Sequence, residues 1–306
     1  MNLFKFFLVS LIILSAKKGE AQIVSDTAII KKHMIAITKT KIYRTHKNID
    51  QLNTVANYIF EVFNTYADSI YFQEYTVKGQ IYKNVVCSFG IQNKERIIIG
   101  AHYDVCGNQE GADDNASGVV GLLELARLLK GVPLNYRVDL VAYTLEEPPY
   151  FRTEYMGSYI HAKFLSDNKI PVAGMVSLEM IGYFKDEKKS QSYPIGFLSL
   201  FYGKRGNYIT LVKKFGAGKF TRTFCRTFKS EKSISTKTFS GPKSLAGIDF
   251  SDHLNYWKFG YSACMLTDTA FYRNKNYHKS SDTLATLDLY RMSKVIDGVL
   301  GALCSL

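Results

Sequence analysis

The sequence predicts an α/β fold, a three-layer sandwich whose mixed, mostly parallel central sheet is flanked by helices. Three observations predict it. Short β-branched runs such as Ile97-Ile98-Ile99 alternate with segments of helical apolar spacing. The 306 residues are 46% hydrophobic and 22% charged with mean hydropathy −0.08, a globular composition that excludes disordered, collagenous and polytopic membrane classes. Histidines and carboxylates collect where apolar runs stop, and the strand ends of an α/β sheet are where ligands bind.

The elements follow in chain order. Residues 1–5 carry positive charge, residues 6–16 are almost wholly apolar, and Gly19-Glu20-Ala21 places small residues around a cleavage point. This pattern predicts a secretory signal peptide over residues 1–21 and an exported product, secreted or periplasmic, with no membrane partner after cleavage. Residues 50–66 have helical spacing at Leu52, Val55, Ala56, Ile59, Phe60 and Phe63, with Asp50 as the expected N-cap. Residues 69–77 and 81–89 read as strands, and residues 96–101 as a buried strand. Residues 117–129 read as a helix stopped by Gly131. Residues 137–144 are an expected strand, 157–165 a helix and 172–177 a strand. Residues 208–215 are expected to form a helix, residues 261–266 a strand, and residues 287–303 a closing amphipathic helix. Residues 185–242 are the least legible and are expected to hold surface insertions that shape a substrate pocket.

The formal charge is +12, but the basic residues are scattered in pairs such as Lys188-Lys189 and Lys213-Lys214. No run reaches the five or more of a basic tail, so a solvated basic surface is expected and no nucleic-acid partner. Five cysteines, at 87, 106, 225, 264 and 304, leave at least one unpaired and form no CxxC motif.

Chemistry gathers at five places. His102 and Asp104 follow the run ending at Ala101, Asp113-Asp114-Asn115 precedes a helix, Glu146-Glu147 follows Leu145, Glu179 follows Leu178, and His278 lies beyond the strand ending near Thr267. Singly, each has a plain explanation: a helix cap, a turn, a loop residue. Jointly, two imidazoles and several carboxylates at one sheet edge make a ligand set for zinc without the thiolates of a structural site. Two metals sharing a carboxylate fit the count better than one.

Gly111-Ala112-Asp113-Asp114-Asn115-Ala116-Ser117-Gly118 resembles the signature of the co-catalytic zinc aminopeptidases, a family of exported metallopeptidases that includes bacterial leucyl-type aminopeptidases and is related to glutaminyl cyclases. Five further stations occur in the family's order. They are Ala101-His102-Tyr103-Asp104, Thr144-Leu145-Glu146-Glu147-Pro148-Pro149, Leu178-Glu179-Met180-Ile181-Gly182, Ser251-Asp252-His253 and His278-Lys279-Ser280-Ser281-Asp282-Thr283. The resemblance implies a zinc exopeptidase-like fold with one catalytic domain over residues 22–306. It implies two zinc ions bridged by Asp114, with His102 and Glu179 completing one site and Glu147 and His278 the other. Glu146 would be the general base, and Asp104 would accept the second imidazole N–H of His102. The Asp114–Asn115 peptide is expected to be cis. Two features depart from the family: Glu179 stands where Asp is common, and residues 149–154 are long and aromatic, which suggests a cover over the site. For Ser251-Asp252-His253, a helix-start capping role competes with support of the site.

The implied reaction is hydrolysis of a peptide bond by water held between the zinc ions, releasing N-terminal residues from peptide substrates, with the free α-amine coordinating the second zinc. One rival is a glutaminyl-peptide cyclotransferase with a single zinc; the doubled Asp113-Asp114 favours the hydrolase. Another is a carboxypeptidase or dipeptidase, with Arg222, Arg226 or Lys229 gripping a carboxylate. A non-catalytic binding protein is disfavoured by retention of the whole set. The 14% aromatic content is compatible with an apolar specificity pocket, although most rings are expected in the core.

Overall fold

A computed structural model describes residues 24–306; the expected signal peptide lies outside the described residues. Two helices open the chain, α1 (Thr27–Thr38) and α2 (Ile49–Asn64). Asp26 caps α1 by accepting N–H groups from Ala28 and Ile29. The cap position of α2 is Asn48, not the expected Asp50, and its side chain makes no capping bond. A hairpin follows, β1 (Ser69–Val77) and β2 (Gln80–Phe89). Its two-residue turn, Lys78-Gly79, has φ of 50° and 79°, the sign that matches strand twist.

Then come β3 (Arg96–His102), α3 (Gly118–Leu129), β4 (Arg137–Tyr143), α4 (Gly157–Asp167) and β5 (Val172–Glu179). The remainder comprises α5 (Leu198–Tyr202), β6 (Ile209–Lys214), α6 (Gly218–Glu231), β7 (Thr236–Gly241), α7 (His253–Lys258), β8 (Ala263–Thr267) and α8 (Leu289–Cys304). The eight strands form one sheet in the order β1-β2-β4-β3-β5-β8-β6-β7. The β4-β3-β5-β8 centre is parallel, as is β6-β7, while β1-β2, β2-β4 and β8-β6 are antiparallel. The mixed, mostly parallel sheet flanked by helices agrees with the sequence reading.

Strand alternation divides the core into two layers. Ile97 and Ile99 join the larger cluster under α1, α2, α3, α6 and α8, whereas Ile98 joins the smaller one, with Ala162 and Leu165 of α4 and Tyr256 and Trp257 of α7. Helix α3 lies close on the sheet because it begins with glycine: a Cβ on Gly118 would sit 2.6 Å from the Leu178 carbonyl oxygen and 2.5 Å from Asn115 Oδ1.

One element reverses its expectation. Residues 208–215, expected as a helix, contain strand β6. Ile-Thr-Leu-Val is rich in β-branched residues, and the segment pairs with β8 on one side and β7 on the other. The 185–242 segment therefore extends the sheet instead of forming only surface insertions. Among the described residues no cysteine is in a disulfide and no helix is long and apolar enough to cross a membrane.

Candidate metal centre

The parallel strands end on one edge of the sheet, and the chemistry-bearing residues meet there. His102 ends β3 and Glu179 ends β5. Glu146 and Glu147 lie three and four residues past Tyr143, the last residue of β4. Asp114 sits in a tight turn, Ala112–Ser117, that feeds α3, and His278 lies in the loop beyond β8.

Asp114 is central. Its Oδ1 is 3.4 Å from His102 Nε2, and its Oδ2 is 3.2 Å from His278 Nε2. Glu179 Oε2 lies 3.5 Å and Glu146 Oε2 3.8 Å from His102 Nε2, while Glu147 Oε2 lies 3.2 Å from His278 Nε2. His102 Nε2, His278 Nε2, Asp114 Oδ2 and Glu147 Oε1 are buried without a hydrogen-bond partner. Such orphaned groups are costly unless a ligand satisfies them. Imidazole nitrogens and carboxylate oxygens converging without partners fit a divalent cation of the zinc class.

The surrounding chain is shaped to hold this arrangement. Consecutive residues on a straight strand point to opposite faces, so aiming both glutamates inward requires a turn. The chain turns at Leu145, whose φ is 62°, and the following Pro148–Pro149 peptide is cis. Asp104 secures the turn: its carboxylate accepts the N–H of Glu146 at 3.2 Å and that of Glu147 at 3.1 Å. Its distance to His102 Nδ1 is 3.6 Å, so its hydrogen bonds go to the turn and not to the imidazole.

Asp282 does the same for the other loop, accepting N–H groups from Asp113 at 3.0 Å and Asp114 at 3.1 Å. The Asp114–Asn115 peptide is cis, and Asn115 ties the loop to the end of β5 by donating to Leu178 O and accepting from Met180 N–H. Asp113 points away, accepting from Gly182 N–H and Asn274 Nδ2. Arg44, only 1% exposed, donates to the carbonyls of Tyr103, Glu110 and Gly111 and so joins the loops carrying Asp104 and Asp114.

Ser251 and its neighbours divide their roles. Ser251 Oγ donates to Glu179 Oε2 at 2.7 Å, which steadies the longer glutamate arm. Asp252 occupies the start of α7 without a capping bond, and His253 Nε2 bonds to the Ile248 carbonyl. The aromatic segment after Pro149 packs on the loop before Ser251: Arg152 pairs with Asp249 at 2.6 Å, and Phe151 stacks edge-on to Phe250.

Sequence reasoning gave no role to Arg44, Asn115 or Asp282. Asp282 stands in the His278–Thr283 motif, which is the one sequence signal that marks it. Nothing local marks Arg44, because its partners are distant carbonyls.

The electrostatics follow from burial of many carboxylates together. Burial raises Glu146 well above the usual carboxylate range against the attraction of His102, and Glu147 and Glu179 raise it further. Burial and the Asp114 charge push Glu147 up to about 7. Asp114 is held below the usual range because His102 and His278 outweigh its burial. Burial lowers His278, but Asp114 and Glu147 override it and raise the imidazole to about 10.

Comparison with known proteins gives a consistent picture. Residues 84–303 match peptidase family M28. The chain is 43% identical over 279 residues to the uncharacterized protein YfbL of Escherichia coli (strain K12), covering 89% of this chain and 85% of that protein. It is 27% identical over 237 residues to a probable leucine aminopeptidase of Trichophyton verrucosum, covering 72% of this chain but only 55% of that protein. The LapA aminopeptidase of Legionella pneumophila has a similar fold, with TM-score 0.71 at 20% identity over 92% of this chain and 72% of that one. So does Fimbriiglobus ruber glutaminyl cyclase, with TM-score 0.70 at 19% identity over 94% of this chain and 97% of that one.

Proposed function

The chain belongs to peptidase family M28, and from that premise we propose that it is a zinc-dependent aminopeptidase releasing N-terminal residues from peptides. The observation that carries this reading is the placement of Asp114, whose two oxygens each face a different, unpartnered imidazole. His102, Asp114 and Glu179 would hold one zinc ion, and Asp114, Glu147 and His278 a second. When bound, such ions polarise the scissile carbonyl and make water acidic enough to attack near neutral pH.

The protein's own part is proton transfer and orientation. Glu146 accepts the proton of the attacking water as the water oxygen bonds to the carbonyl carbon. It then returns that proton to the leaving amine as the C–N bond breaks. Asp104 holds Glu146 in place through its backbone. The acidic cluster suits the α-amino group of a first residue, which favours exopeptidase action.

A pocket adjoining Glu179, lined by Val212, Phe239, Ile248, Phe250 and Met265, supports a preference for a large apolar side chain on the released residue. The decisive test is a panel of N-terminal residue amides, N-acetylated controls and a glutaminyl peptide with zinc-loaded protein. Leucyl and phenylalanyl amides are expected to be cleaved fastest and acetylated ones to resist. Equal cleavage of blocked and free peptides would refute the exopeptidase reading. Pyroglutamate formation without release of a residue would point to a cyclase.

A further inference from the structure

We propose that Cys106 supplies a thiolate ligand to the cation held by Glu147 and His278, making that position chemically unlike the one at His102. The inference rests on the metal-binding reading above. One ligand atom each from Cys106, Glu147 and His278 lie within 4.8 Å of one another. Glu147 is 4% exposed, and its Oε1 is buried and unpartnered, as is His278 Nε2. Cys106 is free and half-buried, whereas the free thiols of Cys87, Cys225 and Cys264 are buried and Cys304 lies exposed at the end of α8.

The loop is fixed at this point. Val105 is 1% exposed and its N–H bonds to the Arg44 carbonyl, while Arg44 Nε grips the Tyr103 carbonyl. Gly107 then turns the chain with φ of 74°. Cys106 is thus held between two anchored residues and a turn.

Three ligands, Asp114, Glu147 and His278, leave a zinc ion one open position. A thiolate there adds a soft fourth ligand, which favours zinc over manganese or magnesium, and zinc can expand to five ligands when water or substrate binds. The His102–Asp114–Glu179 position keeps only nitrogen and oxygen ligands and remains open. The two ions are then unequal, one retained tightly and the other exchangeable. Coordination breaks the S–H bond, forms a sulfur–metal bond and releases the proton to solvent, so zinc uptake releases a proton that a serine at this position would not supply.

The test uses the full chain and three proteins: the natural protein, Cys106→Ser and Cys304→Ser. Titration of metal-free protein with cobalt(II) should produce a near-ultraviolet thiolate-to-cobalt charge-transfer band in the natural protein and in Cys304→Ser. Cys106→Ser should bind cobalt, seen in its visible bands, without that feature, and should hold one zinc at least tenfold more weakly. Zinc should also block alkylation of Cys106 by iodoacetamide in the natural protein, a readout that needs no variant. Cobalt bound without a charge-transfer band, or Cys106 alkylated freely with zinc in place, overturns the inference and leaves the metal-binding reading standing. Failure to bind either metal overturns both.

Discussion

Glu146 and Glu147 share a turn, a hydrogen-bonding partner in Asp104 and nearly full burial, yet they face different neighbours. Glu147 Oε2 is 3.2 Å from His278, whereas the imidazole facing Glu146 is that of His102, at 3.8 Å. Different substitutions should therefore fail in different ways. Glu147→Ala is expected to lose metal first and activity as a consequence. Glu146→Gln keeps the shape of the side chain but cannot take a proton, so it should bind zinc and substrate nearly normally while kcat falls about 10²–10⁴-fold. Metal content and steady-state kinetics on both variants check this; loss of zinc from Glu146→Gln with retention in Glu147→Ala would mean the two roles are exchanged.

The elements that carry these residues depend on loops pinned by buried acceptors. Asp282 takes the N–H groups of Asp113 and Asp114. Replacing it with Ala strands two buried donors, at about 1–3 kcal/mol each, and frees the loop that presents Asp114. Asp282→Ala should unfold at lower temperature and bind zinc about 10–100-fold more weakly, as supports of metal ligands typically do. Calorimetry and zinc competition would show it; unchanged affinity would deny Asp282 a part in presenting Asp114. The sheet's central strands were legible because their β-branched runs are bounded by charged or turn residues, and three of the six motifs mark the ends of β3, β4 and β5. Residues 208–215 were misread because a short apolar run carries little periodicity, and only pairing with β7 and β8 settles it as strand. Helices α1, α5 and α6 and strand β7 went unassigned, and α7 entered only as one alternative, a helix start at Ser251-Asp252-His253. In α7 the residues His253–Trp257 are buried on all sides, so no apolar stripe distinguishes the helix. Arg44 was invisible for another reason: its function lies in contacts with residues 59 to 67 positions away.

The whole molecule carries two histidines that fold neutral. Burial lowers His161 and His253 to about 4 each, against a usual value of 6.5. The unfolded chain binds these protons below pH 6.5 and the folded chain does not until about pH 4. Their contribution is therefore fully present above pH 6.5 and is lost as pH falls toward 4, by about 3 kcal/mol for each group. Denaturant unfolding of the natural protein and His161→Asn across this window isolates one of them: the stability difference between the two should move against the natural protein as pH falls. A difference independent of pH would show that folding leaves the proton affinity of His161 unchanged. The order of the sheet bears on how the molecule comes into being. Strand β8 lies between β5 and β6, although it is synthesised after β6 and β7. Until residues 263–267 leave the ribosome, the β1–β5 block and the β6–β7 pair each present an open edge with nothing between them, and His278 and Asp282 follow later still. A chain stopped before residue 263 is left with two half-sheets that each expose an open edge, and it lacks His278 of the proposed metal centre, so premature termination is expected to yield an aggregating product and no activity.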